Sequence, residues 1–497
     1  MTTLASLTPV GSSSPTGTAI ERARRAQAQW ARLPVPRRLE VIRAARHGIV
    51  ESADRLAATV SLPQRLSAGQ TLAAEIIPLA DACRFLERAA TRLLAPRKAG
   101  RRGRPAWLAG SRAEVRREPW GVVLIVGPAN YPLLLPGVQL LQALTAGNAV
   151  VVKPGSRGRE ASVELAQILR RAGLPDGLLH VLGESPAEAE EAIRHGVDKV
   201  LLTGSAETGR EVYTQLAASL TPAVMELSGC DAVVVRESAD LPMVASALVF
   251  ALSLNGGFTC MAPRRVFVPR QRMHELEVRL ARELRHAPAT AIDPARARRL
   301  ERWIRAALAD GARFVAGGLP LGSSAKPLVL ADVPPGSDLM REDPVAPLLS
   351  LVPVSSDDEA LTLAGQCDYQ LGATVFEAPG GRSDLADRIP CGVVVVNDMI
   401  VPTADPRLPF GGRRLSGFGS TRGAEGLLEL TRPKTVIRRG GRSRPHFAPV
   451  GAREESLLKA YLRLAHGRGT LRRLSAAWAF LSNAVSTQRH HRAMRES

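Results

Sequence analysis

Three side chains could between them run a covalent reaction on a carbonyl group. Cys260 closes the segment Asn255-Gly256-Gly257-Phe258-Thr259-Cys260. A single cysteine is ordinarily a small buried hydrophobe. Here, however, an Asn-Gly-Gly turn follows an apolar helical run, and glycine lets backbone come close to a ligand. A nucleophilic thiol needs such a partly exposed, polar setting with a proton acceptor in reach. Glu226, in Met225-Glu226-Leu227-Ser228-Gly229, is the candidate acceptor. An acid between apolar residues can also be a cap or half of an ion pair, but burial would raise its pKa and suit it to general-base work. Asn130 lies in Val126-Gly127-Pro128-Ala129-Asn130-Tyr131-Pro132, directly after the run GVVLIV. Asparagine between prolines is a common turn residue. At the carboxyl end of a parallel strand its amide can also face a developing oxyanion.

The elements that must position these residues are legible in the patterning. Residues 1–20 are Ser/Thr/Gly-rich, and a frayed start is expected. From 19 to about 94 the apolar spacing is helical, and a basic Gly/Pro connector follows at 97–112. Beyond it, short apolar runs at 121–126, 149–152, 178–181 and 199–202 alternate with helical segments at 139–146, 160–172 and 186–195. That alternation predicts an α/β fold with a parallel, doubly wound, Rossmann-like sheet. A second block follows Glu226: strand 232–235, helix 241–254, strand 265–268, helix 272–285, and onward to a strand at 392–396. A linker begins after Arg438, followed by a helical tail from about 453 to 485.

Composition narrows the function classes. The chain has 497 residues, 45% hydrophobic and 23% charged, which excludes disordered and collagen-like readings. The net charge is +19, which raises the question of a polyanionic partner. More than half of it lies from 438 onward, where thirteen Lys/Arg face three acids. A second basic stretch spans 84–117, and the rest is near balance. No nucleic-acid fold signature accompanies the charge, so a nucleic-acid partner is not expected. Leu471, Leu474, Trp478, Leu481 and Val485, with Arg472, Arg473 and Arg489 beside them, read as a basic amphipathic helix. It would dock on the protein's own surface or a neighbouring subunit, or make a membrane-surface contact. Five scattered cysteines, without CxxC or Cys/His spacing, argue against a disulfide framework or a metal site and for a reducing compartment. The sequence MTTLASLTPVGSSSPTG carries no secretory pattern, so the cytoplasm is the expected location.

Taken together, the motifs resemble those of the aldehyde dehydrogenase superfamily. Pro128-Ala129-Asn130 stands for its Pro-Trp-Asn signature and Lys153-Pro154-Gly155-Ser156 for Lys-Pro-Ser-Glu. Its Thr-Gly-Ser…Gly loop is similar to Thr203-Gly204-Ser205-Ala206-Glu207-Thr208-Gly209. Glu226-Leu227-Ser228-Gly229 resembles Glu-Leu-Gly-Gly, and Cys260 follows Glu226 by 34 positions. Pro409-Phe410-Gly411-Gly412 and Ser416-Gly417-Phe418-Gly419 complete the set, in family order, over about 20–440. The resemblance implies NAD(P)-dependent oxidation of an aldehyde. Cys260 would form a thiohemiacetal and then a thioester, Asn130 would stabilise the oxyanion, and Glu226 would activate the hydrolytic water. It also implies cofactor contacts from Lys153, Ser156, Thr203, Gly204, Ser205, Gly209, Leu227 and Asp343. The alternatives are a CoA-acylating or acyl-reducing enzyme on the same thioester, and a catalytically silent scaffold working through its basic tail.

The departures carry expectations of their own. Ser156 in place of glutamate should tolerate a 2′-phosphate, with Arg157 available to pair with it, so NADP should be accepted at least as well as NAD. Asp343-Pro344-Val345-Ala346-Pro347 replaces Glu-x-Phe-Gly-Pro, which should hold the nicotinamide ribose more loosely. With 4% aromatic residues, an aliphatic substrate tunnel is expected. The implied organisation is a cofactor domain at 21–225, completed by 397–430, and a catalytic domain at 226–396. An oligomerisation arm at 111–119 and 431–440, building a homodimer or homotetramer, and a basic linker and tail at 441–497 complete it.

Overall fold

The computed structural model describes residues 14–65, 67–440, 444–447 and 450–496; beyond 484, and at Ala106, Pro445 and Arg472, only the backbone is described. Two compact units emerge. One runs to Arg97 and from Val115 to Thr435; the other comprises Lys98–Glu114 and the chain from Val436.

The first unit holds two large sheets, and many of their strands are the expected apolar runs. Strands β1 (Val122–Val126), β2 (Ala149–Lys153), β3 (Leu179–Val181), β4 (Lys199–Gly204) and β5 (Ala223–Leu227) are rich in Val, Ile and Leu. Such runs suit strands covered on both faces. Their order is β5-β4-β1-β2-β3, all parallel, with the short strand Gly417–Phe418 pairing antiparallel to β5 at the edge. The order departs from β1 in both directions, β2 on one side and β4 on the other, which opens a crevice at the carboxyl ends. Helices α1 (Leu134–Ala146), α2 (Arg159–Arg171), α3 (Pro186–Arg194) and α4 (Ala206–Ala217) make the crossovers. Leu427 and Leu430, far along the chain, enter the same core, so the segment after the second sheet does return to the first.

The second sheet begins four residues after β5 ends. Its strands are β6 (Asp231–Val235), β7 (Pro263–Pro269), β8 (Arg313–Ala316), β9 (Leu328–Ala331), β10 (Leu348–Val354), β11 (Gly372–Phe376) and β12 (Val393–Val396), in the order β8-β9-β10-β7-β6-β11-β12. All pairings are parallel except β8 with β9. Each face carries its own apolar cluster, one around Phe267 and Leu348 and the other around Leu248 and Phe376.

Two expectations need correction. The start is not frayed to residue 20: a helix spans Pro15–Trp30, with Ser14 Oγ capping Gly17 N–H and Ile20 buried. Serine followed by proline at the first helical position is a start signal that outweighs the polar composition. Residues 1–13 lie outside the described residues. The tail is not one helix but two, Ala452–His466 and Thr470–Glu496, broken at Gly467 and at Gly469 with its φ of 83°. Tyr461 and Phe480 bring their rings within 5.9 Å between them. Leu471, Leu474, Trp478 and Leu481 are all exposed. The side chains of Arg472, Val485 and Arg489 lie outside the described residues. The segments 111–119 and 431–440 contain strands Ser111–Pro119 and Thr431–Arg439, which with Arg97–Ala99 make a three-stranded sheet.

Candidate active site

Glu226 is the penultimate residue of β5. Parallel pairing sets it beside Thr203 of β4, and the edge strand sets Gly417 on its other side. Its carboxyl is 1% exposed. Thr421 Oγ1 donates a 2.8 Å hydrogen bond to Oε2. Burial raises its pKa, while the Arg422 charge and the hydrogen bonds from Thr421 and Cys260 oppose the rise. The result is a carboxyl held above the range of a solvated glutamate.

Cys260 is delivered by an unusual turn. Helix α5 (Leu241–Ser253) gives way to Asn255, Gly256 and Gly257, all left-handed, with φ of 52°, 61° and 77°. Asparagine tolerates that region better than most side chains. At 257 an added Cβ would lie 2.6 Å from Pro347 Cα, so the position demands glycine. The loop is then cross-braced. Asn255 Nδ2 donates to the Asn130 carbonyl at 2.9 Å, and Asn130 Nδ2 donates to the Phe258 carbonyl at 2.7 Å. The fully buried Arg264 donates to the Gly257 and Ala346 carbonyls at 3.0 and 2.6 Å. The hydroxyls of Tyr131 and Thr259 share a 2.7 Å hydrogen bond.

These braces bring the three candidate residues together. Cys260 Sγ faces Glu226 Oε1 across 3.9 Å, a long contact suited to a weak thiol donor. Burial pushes the thiol pKa well above its usual value, and the nearby Glu226 and Asp231 charges push it further. A neutral thiol therefore faces its proton acceptor at rest. Asn130 spends one amide N–H on Phe258 and keeps a second.

The thiol opens into a cavity of about 570 Å³. Leu134, Leu135, Phe250, Leu254, Ile400 and Val401 are among the residues that line it. Two cations stand in the wall. Arg65 is paired with the buried Glu75 at 2.8 Å. Arg422 stacks over Phe410, 4.3 Å from the ring centroid, and donates to the Thr403 carbonyl at 2.7 Å, with Glu226 in its field. Glu75 also accepts the N–H groups of Leu133 and Leu134 at 2.7 and 2.9 Å, capping α1.

The remaining candidates line the ends of β2, β4 and β5. Lys153 closes β2; burial lowers its pKa, and the acids Glu184 and Glu188 oppose that. Ser156 is exposed in the turn that follows. Gly155, before it, packs so closely on the Pro128 carbonyl that no side chain fits. Thr203 is buried and accepts from Gln139 Nε2 at 3.2 Å. Ser205 Oγ caps α4 by accepting Thr208 N–H at 3.1 Å. The first N–H groups of that helix remain without intrahelical partners. Gly209 lets α4 approach Leu227: an added Cβ would sit 2.8 Å from its side chain. A helix N-terminus and a buried lysine at the crevice of a doubly wound sheet fit a dinucleotide. Asp343 Oδ1 accepts from Arg264 Nε at 3.1 Å and from Val345 N–H at 2.9 Å, which ties it to the loop that carries Cys260.

The family model described as the aldehyde dehydrogenase family matches residues 4–436. This chain belongs to that family. This aldehyde dehydrogenase is 30% identical to a 4,4'-diapolycopene aldehyde oxidase of Methylomonas sp, over 91% of this chain and 87% of that protein. It is 31% identical to a putative succinate-semialdehyde dehydrogenase [NADP(+)] of Mycobacterium tuberculosis, over 86% and 85% of the two chains. Among solved structures, the Mycobacterium tuberculosis aldehyde dehydrogenase complexed with NAD+ superposes with a TM-score of 0.78 at 26% identity, covering 86% of this chain and 91% of that one.

Four residues of this aldehyde dehydrogenase's site escaped the sequence reading: Arg65, Arg264, Thr421 and Arg422. The last two follow Ser416-Gly417-Phe418-Gly419 within three positions, so a polar pair directly behind that motif was the available signal. Arg65 and Arg264 carry no motif.

Proposed function

We propose that this aldehyde dehydrogenase oxidises an uncharged, apolar aldehyde to its carboxylic acid with NAD or NADP as acceptor. One observation carries the reading: Cys260 faces Glu226 at 3.9 Å on the floor of an apolar cavity, with the Asn130 amide tied to the same loop. Lys153, Thr203, Gly204, Ser205, Gly209 and Leu227 would hold the dinucleotide, and Ser156 lies at its edge. When bound, it supplies the hydride acceptor that turns the thiohemiacetal into a thioester.

The chain's own residues do the rest. Cys260 Sγ attacks the carbonyl carbon as its proton passes to Glu226. The free N–H of Asn130 and the Cys260 backbone N–H face the oxyanion. After releasing the thiol proton to solvent, Glu226 takes a proton from the water that attacks the thioester, and the C–S bond breaks to free the Cys260 thiolate. Thr421 holds the carboxylate in position throughout.

The apolar preference follows from the cavity wall. Of the two cations in the wall, Arg65 is paired with Glu75, and Arg422 stacks on Phe410 in the field of Glu226, whose carboxylate would repel a second one. One relative is named for 4,4'-diapolycopene aldehyde and another for succinate semialdehyde; the wall favours the uncharged kind. The exposed face of strand Thr431–Arg439 supports assembly through that arm.

The test is aldehyde-dependent NAD(P)H formation over aliphatic aldehydes of rising length, with succinate semialdehyde as the charged control. Activity that grows with chain length, and is lost in Cys260→Ser, is expected. A preference for the charged control overturns the substrate reading. Turnover that requires CoA assigns the acyl-transfer alternative.

A further inference from the structure

Ser156 leaves the turn after β2 without a carboxylate of its own, but the structure brings one from elsewhere. Glu184 lies between β3 and α3, 28 positions further on. Its side chain turns back across the end of the sheet. Oε2 accepts the Arg157 N–H and Oε1 the Arg159 N–H, both at 3.0 Å. Gly158 is the N-cap of α2, so the carboxylate occupies the N-terminus of that helix. That is the place where a helix dipole and free amides would otherwise receive an anion.

The surroundings deepen the effect. Lys153 lies in the field of Glu184 and of Glu188, whose carboxylate is fixed by the Gly183 N–H at 2.8 Å. Burial alone would raise the Glu184 pKa, but the amides of Arg157, Arg159 and Gly158 and the charge of Lys153 hold it below the usual range. It is therefore an anion at neutral pH. A carboxylate has about four acceptor positions, and these two N–H groups use only part of them. In doubly wound folds the acid at the end of the second strand accepts the hydroxyls of the adenosine ribose. Here β2 is that strand, and Glu184 is the acid at its end.

We propose that Glu184 selects NAD over NADP: its carboxylate accepts the ribose hydroxyls and excludes a 2′-phosphate from the amides of residues 157–159. This rests on the reading that the dinucleotide lies across the ends of β1, β2 and β4. Ser156 taken alone points the other way, and the expectation of ready NADP use is reversed by an acid that no motif includes. Arg157 does not rescue it. Its backbone is left-handed at φ 62°, its N–H is spent on Glu184, and a dianion would still sit against two carboxylates.

The experiment compares wild type, Glu184→Gln and Glu184→Ala by calorimetry, using adenosine 5′-monophosphate and adenosine 2′,5′-bisphosphate. The two probes differ only in the 2′-phosphate. Wild type should bind the monophosphate at least tenfold more tightly. Both variants should move the ratio at least tenfold toward the bisphosphate, and kcat/KM for NADP relative to NAD should rise with it. Tighter or equal binding of the bisphosphate by wild type overturns the proposal. So does a ratio unchanged in both variants, or an equal loss of both ligands, which would make Glu184 a brace of the loop only. The binding ratio decides the matter even if no aldehyde on the panel is turned over, so this proposal and the catalytic one fail separately.

Discussion

Cys260 works from a protonated resting state, because burial and three acids, Glu226, Asp231 and Asp343, raise its pKa and only Arg422 opposes them within the site. Its alkylation by iodoacetamide in the ligand-free enzyme should therefore keep accelerating above pH 9, with no plateau near neutrality. The Glu226 charge is one of the causes, so Glu226→Gln should move the alkylation profile to lower pH. The same substitution removes the base, and turnover should fall by about 10²–10⁴-fold, the usual worth of a positioned acid–base group. For the wild type the sign is set by the raised carboxyl pKa. A protonated Glu226 accepts nothing, so kcat should fall as pH drops through a value above that of a free glutamate. At this scale Cys260, Glu226 and Asn130 were legible because each sits in a short motif. Thr421 was not, since it meets Glu226 across 195 positions of sequence. Ser205 shows the opposite lesson: its motif is real, yet the hydroxyl serves the helix as a cap.

The loop 255–260 is where element geometry decides function. Three left-handed residues in succession aim the thiol, and the packing at Pro347 allows no side chain at 257. Gly257→Ala should cost about 1–2 kcal/mol from backbone handedness alone. The clash adds to that, and kcat should fall with it; thermal melts and steady-state kinetics check both. A second element-scale prediction concerns the pair under α1. Arg65→Met strands Glu75 as an unpaired buried acid. Breaking such a pair costs about 3–5 kcal/mol, which urea unfolding would register as a lower midpoint. Strands β1 to β4, β6, β7 and β12 were readable as short Val/Ile/Leu runs between helical stretches, and their ends fell within a few residues of expectation, whereas β8 to β11 were not singled out. The cross-braces were not readable, because Arg264 and Arg65 look like ordinary surface arginines until the chain has folded around them. The break in the tail was visible as Gly467 and Gly469, but helical periodicity on both sides masked it.

Seen whole, the chain separates its charge from its chemistry. Every candidate site residue lies between Arg65 and Arg422, inside the unit that ends at Thr435. The basic excess lies mostly beyond it. No helix among the described residues is long and apolar enough to cross a membrane. Removing residues 445–497 should leave kcat/KM within about twofold of wild type, with light scattering reporting any change in assembly; a collapse of turnover would place the tail in the site. The order of the motifs along the chain was enough to read the two-sheet plan, whereas the fate of the tail depends on surfaces that no motif encodes. One contact described above reaches furthest. The absent side chain of Gly155 seats the turn after β2 directly on the carbonyl of Pro128, two residues before Asn130. The turn proposed to meet the adenosine end and the turn proposed to face the reacting carbonyl are therefore one mechanical piece. Whatever stiffens the first stiffens the second, so affinity at one end and reactivity at the other cannot be tuned independently.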